Sequence, residues 1–153
     1  MNGNKLKNLL VFVLSLNMLA CGSTDQDVLY TFSISNTSGE DITIQGYNSN
    51  IPDRVQRTIV VPYLDSFEEQ IKSRDSGPDY DFSDVFEGDS IIINYNNLRT
   101  RTFTCIRRGS QGVGCSEPRN ILNILPAPVS GQDILASEYE FTQTDFENAL
   151  PIN

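Results

Sequence analysis

Apolar and polar residues alternate along much of the chain. From Val28 to Ser35 the set Val28, Tyr30, Phe32 and Ile34 interleaves with Leu29, Thr31, Ser33 and Ser35. A period of two places the first set on one face of a half-buried strand. Asn36-Thr37-Ser38-Gly39-Glu40-Asp41 supplies turn residues. Ile42 to Tyr47 then resumes the alternation through Ile42 and Ile44. The two strands form either a hairpin or a crossing between sheets. Asn48 to Asp53 reads as loop. Arg57 to Val61 predicts a third strand, which Pro62 ends or confines to an edge. Ser66 to Lys72 carries two signals. Ser66-x-x-Glu69 imitates a helix capping box, whereas Phe67, Glu69 and Ile71 fit a strand face. The close spacing of turn signals on both sides favours strand.

Arg74 to Asp89 is the most polar stretch, with carboxylates at Asp75, Asp79, Asp81, Asp84, Glu87 and Asp89. It reads as a solvated acidic loop. Ser90 to Tyr95 carries Ile91-Ile92-Ile93, the pattern of a central strand covered on both faces. Asn96-Asn97 makes the next turn, and Arg99 to Ile106 returns with Thr and Phe at strand positions. Ile121 to Leu125 predicts a short apolar strand, Pro126 to Gln132 is irregular, and Ile134 to Phe141 is the last strand. Thr144 as N-cap, Glu147 three residues on and Pro151 as stop predict a helical turn. Phe146 and Leu150 would pack on the sheet end. About seven strands with turns at short intervals give an all-β fold, an immunoglobulin-like antiparallel β-sandwich with a short C-terminal helical turn. A small β-barrel fits the same pattern as the alternative.

The first residues follow a different pattern. Lys5 and Lys7 precede an apolar run from Leu9 to Ala20, broken only by Ser15 and Asn17. As a helix this run reaches about 18 Å, short of the roughly 30 Å hydrocarbon core. A charged start, short apolar middle and small residue at Ala20 are the layout of an export leader. Met18-Leu19-Ala20-Cys21 resembles the lipobox of bacterial lipoproteins. The resemblance implies cleavage before Cys21, diacylglyceryl transfer to its thiol and acylation of the new amino group, with two or three chains anchoring the domain. Residues 1–20 are then the leader, 21–27 the lipidated cysteine and a short tether, and 28–153 the domain. Gly22 after the cysteine, in place of Asp, implies the outer membrane in Gram-negative sorting, with either face open.

Composition narrows the chemistry. The formal net charge is −9, and loss of Lys5 and Lys7 with the leader makes it two units more negative. Nucleic acid is excluded as an expected partner, because phosphate binding needs clustered Lys and Arg. There is no histidine. Ser-His-Asp and Cys-His catalysis cannot be assembled within this chain, nor can a Cys/His zinc site with only Cys105 and Cys115 beyond Cys21. In an exported protein Cys105 and Cys115 read as a disulfide. Calcium is the sharper reading of the acidic stretch, through Asp79, Asp81 and Asp84. An EF-hand counted from Asp79 fails, because Asp84 and Ser90 stand where Gly and Glu are required. Arg99, Arg101, Arg107 and Arg108 could hold an anionic ligand, or could balance neighbouring acids.

Three stretches carry a wider resemblance: Tyr30 to Tyr47 around Asn36-Thr37-Ser38-Gly39, Gly88-Asp89-Ser90-Ile91, and Tyr139-Glu140-Phe141-Thr142 with Asp145-Phe146-Glu147-Asn148-Ala149. Together with the leader they are similar to small lipoproteins of Bacteroidota. The resemblance implies an immunoglobulin-type sandwich and a place in the cell envelope, and it brings no catalytic residue. Asp89-Ser90-Ile91 also matches the Asp-Ser/Thr-apolar acceptor triplet of Bacteroidota O-glycosylation, which makes Ser90 a candidate for modification. The expected function is a lipid-anchored, non-catalytic module without a cofactor that binds another envelope protein, a glycan or a peptide. The alternatives are a calcium-stabilised structural domain and a carboxylate-dependent glycan hydrolase, which needs two acids roughly 5–10 Å apart in a cleft.

Overall fold

The structure is a computed structural model that describes residues 27–74, 79–107, 113–115 and 119–152. Cys21 and the leader lie outside the described residues. In chain order the elements are β1 (Asp27–Thr37), β2 (Ile42–Asn48), β3 (Ile51–Val61), β4 (Ser66–Arg74), α1 (Phe82–Val85), β5 (Ser90–Tyr95), β6 (Arg99–Arg107) and β7 (Val113–Cys115). A 3-10 turn (Ile121–Asn123), β8 (Ala127–Pro128), β9 (Ile134–Thr142), α2 (Gln143–Glu147) and β10 (Leu150–Pro151) complete it. Two sheets face each other. The smaller has the order β4-β1-β9-β8, and the larger β10-β6-β5-β2-β3 with β7 on β6. Neither sheet closes on itself, so the all-β sandwich holds and the barrel alternative does not. One pairing departs from an antiparallel scheme: β1 runs parallel to β9, from Leu29 beside Ile134 to Thr37 beside Thr142.

The alternation along β1 and β5 builds the core; β5 is covered on one face only, not on both as Ile91-Ile92-Ile93 suggested, because Ile92 points outward beside Gln45 and Thr102. Tyr30, Phe32 and Ile34 from one sheet meet Ile42, Ile44, Ile91, Ile93 and Tyr95 from the other, all buried. Each such side chain contributes about 1.5–3 kcal/mol by leaving water. β1 and β2 belong to different sheets, which settles the choice left open between hairpin and crossing. The corner between them is held by Asn36, which is fully buried. Its amide donates to the carbonyls of Glu40 (2.8 Å) and Val61 (2.9 Å), and its oxygen accepts from the Ser38 N–H and hydroxyl. A buried amide is tolerable only when its bonds are made in this way.

Four further expectations need correction. The Asn48 to Asp53 loop shrinks to Ser49-Asn50, and β3 starts at Ile51. Pro52 is accommodated because β3 pairs on one side only, with β2. The acidic loop is half core. Phe82, Val85 and Phe86 are fully buried, at the i, i+3, i+4 spacing of a helix face, with Phe82 edge-on to Phe32 at 5.3 Å. The short strand at Ile121 to Leu125 is a 3-10 turn, capped by Asn120, whose side-chain oxygen accepts from Leu122 N–H at 3.0 Å. Ile121 and Leu122 are both buried, which consecutive residues of a one-sided strand cannot be. Finally, the C-terminal helix is capped by Thr142 with Asp145 in the third position, not by Thr144 with Glu147. Phe146 packs against Tyr95 at 5.7 Å, but Leu150 is 70% exposed and pairs with Thr100 at the sheet edge.

Cys105 and Cys115 face each other across β6 and β7 and are joined in a disulfide, with Cα atoms 4.4 Å apart. The bond closes a loop of separation 10. The double substitution Cys105→Ser, Cys115→Ser is expected to lower stability by about 2–3 kcal/mol in the chain-entropy account. A shift of the urea midpoint at unchanged slope would show it.

Candidate functional site

The two outer faces of the sandwich differ in chemistry. On the smaller sheet, Ser33 lies between Glu68 and Glu138, and Ser35 is beside Glu140. That face is acidic. On the larger sheet the outward positions of β2 are Thr43, Gln45 and Tyr47. They sit beside Asn94, Ile92 and Ser90 of β5, which in turn neighbour Thr100, Thr102 and Thr104 of β6. Thr58 and Val60 of β3 complete the rows. No outward position in these rows carries a charge, in a chain with 20 acidic residues. Inward partners explain how this arises: the same strands give Ile42, Ile44, Ile91, Ile93 and Phe103 to the core, so alternation leaves hydroxyls and amides outside.

At one end this face becomes concave. Asp41, Thr43, Gln45, Val60, Asn94, Asn96 and Asn97 line an open groove of about 410 Å3, within the range of small-molecule sites. The β5–β6 turn forms its floor. Asn96 and Asn97 have φ of 49° and 59°, the left-handed region that Asn tolerates better than most residues. The turn is fixed by Asn94, whose side-chain oxygen accepts from Asn97 N–H at 2.6 Å and whose amide donates to Asn97 Oδ1 at 3.1 Å. Asn96 donates to Glu40 at 3.0 Å. Asp41 accepts from the Tyr63 N–H at 2.8 Å, and Tyr63 is exposed. Gln45 accepts from the Tyr47 hydroxyl at 3.2 Å through Oε1, and among the described residues neither its Nε2 group nor the Thr43 hydroxyl has a hydrogen-bond partner.

Two other cavities have different linings. A wide groove of about 580 Å3 runs between the β2–β3 turn and the end of α1, past Asp84, Glu87 and Asp89. Two of its acids are engaged: Asp89 accepts from the Ser49 N–H and hydroxyl, and Asp84 accepts from Asp81 N–H at 2.8 Å. Burial raises the Asp84 pKa, against the pull of its backbone hydrogen bond. A smaller groove of about 220 Å3 lies among Tyr30, Asp79, Tyr80, Asp81, Leu125, Pro126 and Leu135.

The residues singled out by sequence are scattered. Asp81 caps α1, accepting from the Ser83 N–H and hydroxyl, while Asp79 accepts from the Tyr30 hydroxyl at 3.3 Å. Asp84 accepts from the Asp81 N–H, so Asp81 and Asp84 serve the helix cap while Asp79 ties its segment to β1. Among the described residues no group of three or more metal-ligating side chains is gathered to hold an ion. Ser90 opens β5, half-buried, with its hydroxyl 3.3 Å from that of Thr104.

Two of the arginines named as an anion site turn inward. Arg99 donates to the carbonyls of Glu147 (2.8 Å) and Ala149 (2.9 Å) and lies over the Phe146 ring. Arg101 is 3.7 Å from Asp145 and lies over Phe103. Arg108 and the side chain of Arg107 lie outside the described residues. Sequence reasoning missed Arg119, which forks onto both oxygens of Asp145 at 2.9 and 2.7 Å. The Asp145 carboxylate is 2% exposed and also accepts from the Thr142 N–H and hydroxyl. The Tyr139 hydroxyl donates to the Arg119 carbonyl, and burial, reinforced by the Asp145 charge, pushes its pKa up to about 12. This cluster pins the 119–120 segment, β9 and α2 together, and its bonds are directed inward.

Comparison with known proteins finds no family model, no curated protein and no solved structure that matches the chain.

Proposed function

We propose that this chain is a lipoprotein of the bacterial cell envelope, of the small Bacteroidota type, that works as a non-catalytic binding module. Its binding face is the outer surface of the larger sheet, centred on the groove at Thr43 and Asn94. The observation that carries the reading is chemical contrast. The groove is uncharged apart from Asp41, it holds hydroxyl and amide groups with bonding capacity to spare, and the acidic opposite face repels anionic surfaces. The anchor is Cys21, and the outer membrane is the expected site. The short tether 22–27 reaches at most about 20 Å, so the domain works close to the bilayer. Among the described residues no helix is long and apolar enough to cross a membrane.

Two experiments bear on this. In cells fed an alkyne-tagged palmitate, the full chain is expected to take up label, and Cys21→Ala is expected to lose it while the uncut precursor accumulates. Label retained by Cys21→Ala would remove the anchor from the proposal. For the binding face, a photo-crosslinking residue at position 43 in intact cells is expected to give adducts that the same residue at position 33, on the acidic face, does not. Equal adducts at both positions, or none at 43, would overturn the assignment.

A further inference from the structure

Resting on the binding face just described, we infer that the groove takes a neutral carbohydrate, a stretch of uncharged oligosaccharide. Sugar hydroxyls both donate and accept, and they need partners that do the same. Amides and hydroxyls meet that demand, whereas a cluster of like charges does not. The groove presents Thr43, Gln45, Asn94 and Asn96 as this kind of partner, with Asp41 as an acceptor at the rim. Among the described residues the Thr43 hydroxyl and the Gln45 Nε2 group have no protein partner, so a ligand need displace only water from them.

Spacing agrees with this. Thr43 and Asn94 are direct neighbours on adjacent strands, and Val60 flanks Thr43 on the other side. Neighbouring strands lie about 4.8 Å apart, close to the length of one sugar ring. Successive rings laid across β3, β2 and β5 would each meet a new outward side chain. The exposed Val60 supplies apolar surface for the C–H faces of the sugar within the groove, and the exposed Tyr63, bonded through its N–H to Asp41, is the aromatic that a ligand running past Asp41 would meet. An aromatic ring with an apolar body is suited to that contact.

The charge of the protein separates this ligand from its rivals. With 20 acidic against 11 basic residues, a polyanion such as a uronate polymer is repelled. A second copy of the chain is disfavoured by chemistry: an interface core between copies is about 65% apolar, whereas Thr, Asn and Gln dominate this groove.

Affinity electrophoresis of the soluble mature domain in native gels tests the inference, with mannan, xylan, soluble starch and dextran as neutral probes and polygalacturonate as the anionic one. At least one neutral polymer is expected to retard the protein, and polygalacturonate none. Thr43→Glu places a charge at the centre of the groove on a solvent-facing position, and it is expected to weaken retardation at least tenfold. Tyr63→Ala is expected to weaken it several-fold, with an unchanged melting temperature in both variants confirming the fold. Retardation by none of the neutral polymers, by polygalacturonate alone, or to the same degree in Thr43→Glu would overturn the carbohydrate assignment. The crosslink at position 43 distinguishes the two levels. A polypeptide adduct there, without retardation by any neutral polymer, keeps the face and refutes the ligand class, whereas the absence of both refutes the face as well.

Discussion

Replacing Asp145 with alanine is expected to destabilise the domain by about 3 kcal/mol, the low end for a broken buried ion pair, because Arg119 is 49% exposed and water takes up part of its charge. The carboxylate is 2% exposed. It accepts both prongs of Arg119 and two bonds from Thr142, and it stands 3.7 Å from Arg101. Alanine would leave Arg119 without the carboxylate that takes both of its prongs and would remove the Asp145 half of the capping box of α2. Chemical denaturation of the variant should show a midpoint far below that of the parent, and a change of less than about 1 kcal/mol would mean that the cluster is bridged by solvent. Asp145→Asn keeps the shape and separates charge from packing. Burial raises the Asp145 pKa, but the bonds from Arg119 and Thr142 and the Arg119 charge outweigh it and hold it below the ordinary value. A carboxylate depressed on folding stabilises above its unfolded pKa of about 3.9, and that stability is lost as pH falls through the folded value. The parent should therefore lose stability as pH falls below about 4, and Asp145→Asn should be less stable at neutral pH but show a flatter acid limb.

Gly46→Ala is expected to be as damaging, at about 3 kcal/mol, by overpacking. A Cβ at Gly46 would be driven into the backbone carbonyl of Phe86, and one at Gly88 into that of Tyr47. The two glycines mark a place where the segment leaving α1 lies directly on β2. Neither side can yield cheaply, because the obstructing atoms are backbone. The contact also seats Phe82, Val85 and Phe86 in the core. Thermal unfolding of Gly46→Ala and Gly88→Ala should show both well below the parent. A loss confined to one of them would show that one segment gives way without cost to the core.

What the sequence revealed depended on how local the signal was. Val28 to Ser35 and Ile91-Ile92-Ile93 declared themselves by period and by β-branching, and they are core strands of the two sheets. The corner at Asn36 was visible as a turn, yet its bonds to Glu40 and Val61 are tertiary and leave no local mark. In the acidic stretch, the carboxylates of Asp79, Asp81 and Asp84 hid the apolar i, i+3, i+4 set of Phe82, Val85 and Phe86. The capping-box signal at the C-terminus was real but offset by two residues, since Thr144 and Thr142 are each followed three positions later by an acid. The candidate groove was not legible as a motif, because Asp41, Val60 and Asn94 come from separate strands and turns. One trace was present: the outward positions Thr43, Gln45, Ile92 and Asn94 lack charge while the rest of the chain is rich in it.

The parallel seam between β1 and β9 constrains the order of events during synthesis. Leu29 must wait for Ile134, more than one hundred positions later in the chain. Pairings of such separation are slow to form, because a long loop must close before any contact rewards it. Until β9 has emerged, β1 can have β4 on one side and bare N–H and C=O groups on the other. An open strand edge of this kind is a template for aggregation. A chain truncated before Ile134 would keep that edge permanently, so the nascent domain is most vulnerable in the interval before β9 arrives.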